Sequence, residues 1–315
     1  YLKNNKSKIP FVLGAIGLSV SFEGVIGFLQ NFSHVEEISG WQDVSSLNPE
    51  EVMTRVYGTL KPYNPNLLGG YFVAGIPSLY GVSAYFLANK KYKFAIGGVL
   101  LALFSTLTLF LTGCRGSYIG MMVVFCGMFA VSAKYLWQNY KTVYLSIVGS
   151  VVAFATTAIL LISSLRARVL SIFAMRQDSS NSFRFNVYHS SVEMFKDNWL
   201  LGIGVGNQNF REIYGLYMKT GFDALSAYNI FLEIAVESGI FALIAFVGFI
   251  VTLIKNSIKF VLKSADTQSV MFVATALISI CAVCIHGLVD TVFFRPQIQF
   301  VFWAMVAIAR VVVIE

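Results

Sequence analysis

Apolar runs long enough to cross a bilayer recur along this chain, and they constrain its fold more than any other feature. A hydrocarbon core of about 30 Å needs roughly 20 apolar residues in a helix. Eight stretches meet that length, at residues 10–29, 67–88, 94–112, 117–133, 142–163, 228–254, 268–289 and 297–314. Apolar side chains run right round each stretch, unlike the one-sided stripe of a surface helix. The polar-in, apolar-out alternation of a membrane barrel is absent. The expectation is an all-α, polytopic integral membrane protein, with residues 1–315 as one membrane domain. Only 12% of the residues are charged, about half the share of a soluble domain. That deficit excludes a soluble globular enzyme, a disordered tail and a nucleic-acid-binding domain.

The formal net charge of +7 is explained by topology. If the N-terminus is cytoplasmic, the inner segments hold 11 of the 14 Lys, while eight of the nine Arg fall outside. Such a bias sets orientation. It places both ends of the chain on the cytoplasmic side, with loops 30–66 and 164–227 outside. Topology needs only positive charge, which Lys supplies. An Arg surplus on the outer face suits phosphate or carboxylate, because the guanidinium is a rigid fork of donors; the plainer alternative is ordinary ion pairs within the loops. Residues 1–29 resemble a signal peptide but carry Glu23 and end without a small-residue cleavage site, so they read as a retained helix. Glu23 has no partner legible in the sequence and is assigned to a segment outside this chain. Cys281 and Cys284 have the spacing of half a metal site without a second pair. The four cysteines therefore read as structural thiols, and neither a metal nor a cofactor is expected.

Loop 164–227 is far longer than an ordinary connection, and long ordered loops are usually functional. Ser182 is placed to cap a helix running to about Asn198. Asn207 or Asn209 is placed to cap a second, with Phe210, Ile213, Tyr214 and Tyr217 on one face and Gly221 closing it. Both read as amphipathic helices on the outer leaflet, or else as a partner-binding surface. Between them Gly202, Gly204 and Gly206 alternate. The spacing does not fit a dinucleotide loop, and a turn bringing backbone close to a helix or a lipid head group fits better.

Ionisable groups within a membrane are costly and by default functional. Glu233 and Glu237 share a helix face, roughly 7 and 13 Å below the outer end of a span starting at Tyr228. Arg115 lies at comparable depth in the turn Thr112-Gly113-Cys114-Arg115-Gly116. His286 and Asp290, four apart, form either a proton relay or a helix-stapling hydrogen bond, and Arg295 follows them.

These pieces together resemble the O-antigen ligase and O-antigen polymerase superfamily. The matching runs are Asn64-Pro65-Asn66-Leu67-Leu68, Thr112-Gly113-Cys114-Arg115-Gly116, Arg184 opening a loop helix, Leu200-Leu201-Gly202-Ile203-Gly204, and residues 207–210. Tyr228-Asn229-Ile230-Phe231-Leu232-Glu233, Glu237-Ser238-Gly239 and His286-Gly287-Leu288-Val289-Asp290 complete the set, so the resemblance spans about residues 63–309. Within the superfamily, residues 178–184, 224–228 and 290–296 look like a cyanobacterial branch named as inorganic-carbon transporters. Members are longer than this chain, which implies further N-terminal helices in the whole protein.

The resemblance implies transfer or polymerisation of glycan from a polyprenyl-diphosphate-linked donor to a glycan or lipid acceptor on the extracytoplasmic face. Arg115, Arg184 and Arg211 would bind the pyrophosphate with Asn229, while Tyr228, Glu237 and His189 are the candidate catalytic residues. Glu233, His286, Asp290 and Arg295 would support them. Two positions depart from the pattern, which has His where this chain has Tyr228 and Ser where it has Cys114. A phenol with pKa near 10 is a poor base at neutral pH. The competing readings are a bicarbonate transporter and a non-catalytic membrane protein that binds lipid-linked glycan.

Overall fold

The computed structural model describes residues 5–33, 55–174 and 179–313. Most of loop 30–66 and the start of the run at 178–184 lie outside the described residues. Those described form eleven α-helices and no strand. Eight helices are long and apolar enough to cross a membrane: α1 (Ile9–Gln30), α2 (Pro65–Ala88), α3 (Tyr92–Leu111), α4 (Arg115–Leu136), α5 (Lys141–Leu161), α9 (Ile230–Lys263), α10 (Thr267–His286) and α11 (Pro296–Val313). The chain is a multi-pass membrane protein. Three shorter helices, α6 (Ser163–Ser171), α7 (Ser179–Asp197) and α8 (Asn207–Tyr214), fall between α5 and α9.

The centre of the bundle is α2, packed on α1, α3, α4, α10 and α11. Its small residues explain why. A side chain at Gly70 would press on His286, and one at Gly81 would collide with Thr275, so one face of α2 admits α10 closely along its length. Hydroxyls then bridge helices inside the apolar core: Ser279 donates to the Ala74 carbonyl at 2.6 Å, and Thr108 to the Gly24 carbonyl at 2.9 Å. By contrast α5 buries no residue and touches chiefly α4 and α6.

The segment between the spans is folded rather than draped. Val187, Met194, Phe210, Tyr214, Ala224 and Ala227 form a second small core against Val236 of α9. Within it Phe210 and Tyr214 stack, and the Tyr214 hydroxyl donates to the Phe222 carbonyl at 3.0 Å.

Four local expectations are corrected. Neither Asn207 nor Asn209 caps α8. Gly206, at φ 120°, occupies that position because the chain leaves a tight turn there in a conformation open to glycine. The helix also ends at Tyr214, before Gly221, since the chain folds back to bring Phe222 under Tyr214. His286 and Asp290 do not share a helix face: α10 stops at His286, and the Asp290 carboxylate accepts the backbone N–H groups of Thr291 (2.8 Å) and Val292 (3.2 Å), which holds a turn. Glu23 has a partner within this chain, accepting the backbone N–H of Thr59 at 2.9 Å and the Thr59 hydroxyl.

Candidate functional site

That contact of Glu23 starts the site. Gln30 joins it from the last turn of α1, accepting the N–H groups of Tyr57 and Gly58 and donating to the Gly58 carbonyl. Held by two side chains of α1, residues 55–60 are tucked against the bundle, and Val56 donates to the Leu111 carbonyl at the end of α3. The result delivers Arg55 to the mouth of the short turn between α3 and α4. Gly113 adopts φ 62°, and a side chain there would press on the Arg55 stem at 3.2 Å, so glycine is required on both counts.

Arg55 then forks between two acceptors. Its Nε donates to the Thr112 carbonyl at 2.8 Å, and Nη2 to Asn66 Oδ1 at 2.6 Å. Asn66 passes the connection on, its Nδ2 donating to Asp290 Oδ2 at 3.0 Å. The same oxygen faces Arg184 Nη2 at 3.9 Å across a partly shielded ion pair. Arg184 Nη1 donates to Ser180 Oγ at 2.9 Å, while its buried Nε has no hydrogen-bond partner among the described residues. The Tyr228 ring lies 6.0 Å from the Arg184 guanidinium and takes Phe183 edge-on. One chain of contacts thus runs Arg55, Asn66, Asp290, Arg184, Tyr228, drawn from five separate parts of the sequence.

A second branch carries two further arginines. Arg115, the first residue of α4, donates from Nη1 to Ser171 Oγ at 3.0 Å, and the Ser171 carbonyl accepts Asn181 Nδ2 of α7 at 3.0 Å. Arg168 of α6 is buried, and both it and Arg115 lie within electrostatic reach of Arg55 and Tyr118. Arg115 and Arg168 therefore gather around Arg55, and Arg184 is joined to it through Asp290 and Asn66. Burial, with the neighbouring arginines adding to it, lowers the Arg55 guanidinium to about 10, which leaves it cationic at neutral pH. Ahead of α4, the Cys114 thiol meets His286 Nε2 at 3.8 Å. Burial raises this thiol, yet the imidazole outweighs burial and brings it to about 7. The His286 ring is slotted against Gly70 and Gly116, where any side chain would strike it.

The remaining candidates take other places. Tyr228 has a pKa above its ordinary value, through burial first and then the Asp290 charge, so its hydroxyl stays protonated at neutral pH. Tyr188 is raised for the same first reason, and its hydroxyl donates to the Tyr228 and Leu288 carbonyls. Asn229 caps α9, accepting the N–H groups of Phe231 and Leu232 while donating to the Leu288 carbonyl. Glu233 accepts the Ala227 N–H, and Glu237 the Gly206 N–H at 3.0 Å, so both carboxylates hold loop backbone. Arg211 pairs with Asp223 at 2.8 Å with both side chains more than half exposed. His189 and Arg295 are exposed. Sequence reasoning did not single out Arg55, Arg168 or Asn66 for this role. Asn66 lay in a motif already noted, whereas nothing local marks Arg55 or Arg168.

The fold and site define a class: a multi-pass helical membrane protein with a cationic, arginine-lined site at one end, under a folded loop. Residues 100–247 match the family model described as O-antigen ligase. That match runs from within α3 to beyond the break in α9, so the part of the chain that is similar to this family includes Arg115, Arg168 and Arg184. No curated protein matches the chain.

Proposed function

We propose that this protein binds a polyprenyl-diphosphate-linked glycan at the arginine end of the bundle and transfers the glycan to an acceptor there. The observation that carries the reading is the gathering of Arg55, Arg115, Arg168 and Arg184 at one end of the bundle, where the buried Nε of Arg184 has no hydrogen-bond partner among the described residues. Guanidinium forks drawn to one place suit phosphate oxygens, and a diphosphate offers several such oxygens in a compact group. In the transfer, an acceptor hydroxyl attacks the anomeric carbon, the bond to the diphosphate breaks, and the electron pair leaves on a phosphate oxygen. Arginines placed around that oxygen stabilise the transition state more than the ground state. The proton of the hydroxyl passes to the departing diphosphate, which balances the step, and not to Tyr228, whose phenol is itself held protonated. In this reading the lysine-bearing end of the bundle faces the cytoplasm and the arginine end the periplasm.

Protonated Tyr228 also supports a second reading, in which the same arginines bind lipid-linked glycan without transferring it. The test is an electrophoretic profile of envelope polysaccharide from wild type, a deletion strain, and the deletion complemented with wild type or with Arg115→Ala. Loss or shortening of a glycan ladder, restored by wild type and not by Arg115→Ala, is the expected result. An unchanged ladder overturns transfer. Displacement of inorganic pyrophosphate from the purified protein by lipid diphosphate would then separate binding from no binding.

A further inference from the structure

We propose that the turn at residues 199–206 is a membrane-inserted wedge, seated among the acyl chains of the leaflet at the arginine end. The starting point is the length of α9. Its 34 residues run roughly 51 Å at 1.5 Å per residue, well beyond a hydrocarbon core of about 30 Å. The helix is broken at Gly239, which adopts φ 78° and ψ −178°. Residues 240–263 alone run roughly 36 Å, enough to cross the core.

The far end of α9 carries Lys255, Lys259 and Lys263, all exposed, and Lys134 of α4 donates to the Val261 carbonyl at 2.6 Å. Those ammonium groups mark one headgroup level. Roughly 20 residues back from each lie positions 235, 239 and 243, so the opposite edge of the core falls at the Gly239 break.

The turn packs at that level. Ile203 N–H donates to the Val236 carbonyl at 2.9 Å, Gly204 N–H to the Glu237 carbonyl at 3.0 Å, and Ile240 N–H to the Trp199 carbonyl at 2.8 Å. Gly206 N–H is taken by the Glu237 carboxylate. Irregular backbone at membrane depth needs its polar groups answered by protein, and these bonds answer them. The approach is close enough that a side chain at Gly202 would strike the backbone of Glu237, and one at Gly239 that of Leu200.

While its backbone is satisfied inward, its side chains point out. Trp199 is 52% exposed, Leu201 80% and Val205 72%, and no charged residue occurs between Asp197 and Arg211. Directly below, Phe241 and Ile244 of α9 are 66% and 61% exposed. The apolar surface of the turn is thus continuous with the part of α9 that crosses the bilayer, which commits its occupant to acyl chains. This inference is independent of the transfer chemistry.

The test keeps Trp199 as the sole tryptophan, through Trp41→Phe, Trp137→Phe and Trp303→Phe, with the full chain in phosphatidylcholine vesicles brominated at shallow or deep acyl positions. Quenching of most of the Trp199 emission by the shallow bromines, and less by the deep ones, is expected. No quenching by either overturns the wedge. In parallel, Leu201→Cys and Lys219→Cys are treated with a membrane-impermeant maleimide in the same unbrominated lipid and read by peptide mass. Labelling at position 219 with loss of labelling at 201 is expected, and equal labelling overturns the proposal. Both substitutions sit at exposed side chains, so the fold is retained.

Discussion

The two ends of the bundle are both cationic and are built in opposite ways. At one end Lys90, Lys91, Lys93, Lys141, Lys255, Lys259 and Lys263 are exposed. At the other, Arg55, Arg115 and Arg184 are half-buried and Arg168 is buried, each wired to named acceptors or to the charges around them. Exposed charges contribute little to stability, and the lysines need only sit in water beside the headgroups. Withdrawing a cation from water is costly unless a partner meets it. Among the described residues the arginine end meets that cost with an asparagine, a carboxylate, serine hydroxyls and carbonyls. In the proposed function, positive charge at the first end orients the protein, and at the second it meets a ligand.

Breaking the arginine end at Asp290 should give the largest effect. Asp290→Ala strips partners from Arg184, the Asn66 amide and two backbone N–H groups together. A loss of about 3 kcal/mol is expected for a buried charge left unpaired, against under about 0.5 kcal/mol for Lys259→Ala. Thermal unfolding in micelles checks both, and equal small shifts would dissolve the distinction between the ends.

Turning one arginine into the other end's residue comes next. Arg55→Lys keeps the charge but cannot reach the Thr112 carbonyl and Asn66 Oδ1 at once. About 1–2 kcal/mol should be lost through the acceptor left unsatisfied, together with weaker pyrophosphate binding by titration. Wild-type affinity in the lysine variant would show that charge alone suffices.

At the lysine end the sharpest feature is the Asp266 cap of α10, which accepts the Gln268 N–H at 3.1 Å. Its carboxyl is held below its ordinary range by the Ser269 hydroxyl first and by backbone N–H groups after it. Asp266→Ala should cost about 1 kcal/mol at pH 7. Because the folded pKa is depressed, that contribution is complete above the ordinary carboxylate range and fades as pH falls through the folded value. Unfolding of wild type and variant at pH 7 and near pH 3 should therefore converge in acid, and a gap that widens in acid would contradict the assignment.

Smallest of all is Tyr228→Phe. With the phenol protonated across neutral pH, the ring beside Arg184 is what matters, and phenylalanine keeps it. Pyrophosphate binding should stay within about twofold with the same pH profile between 6 and 9. A lost limb in that window would return Tyr228 to a proton-transfer role.

Much of this architecture was legible without coordinates. Bilayer thickness is a one-dimensional constraint, so spans can be counted along the chain, and α2, α3, α10 and α11 begin within a few residues of their expected starts. Helix ends were less legible where side chains intervene from afar. The Asp290 turn stops α10 short of Val289, and α9 runs on to Lys263 past the expected end at Ile254. Of the site, Arg115 and Arg184 stood in recognisable motifs. Arg55 did not, because its place depends on Glu23 and Gln30 gripping the residues after it.

The sequence by itself determined a multi-pass helical membrane protein with eight apolar runs of spanning length, and with lysines and arginines sorted into different connecting segments, because hydropathy and charge act locally along a chain. Tertiary structure decided which arginines share a site. Arg55 reaches Thr112 across 57 positions, and Asn66 reaches Asp290 across 224. Such pairings follow from how helices pack through their small residues and where loops are gripped, and no periodicity in the sequence encodes them.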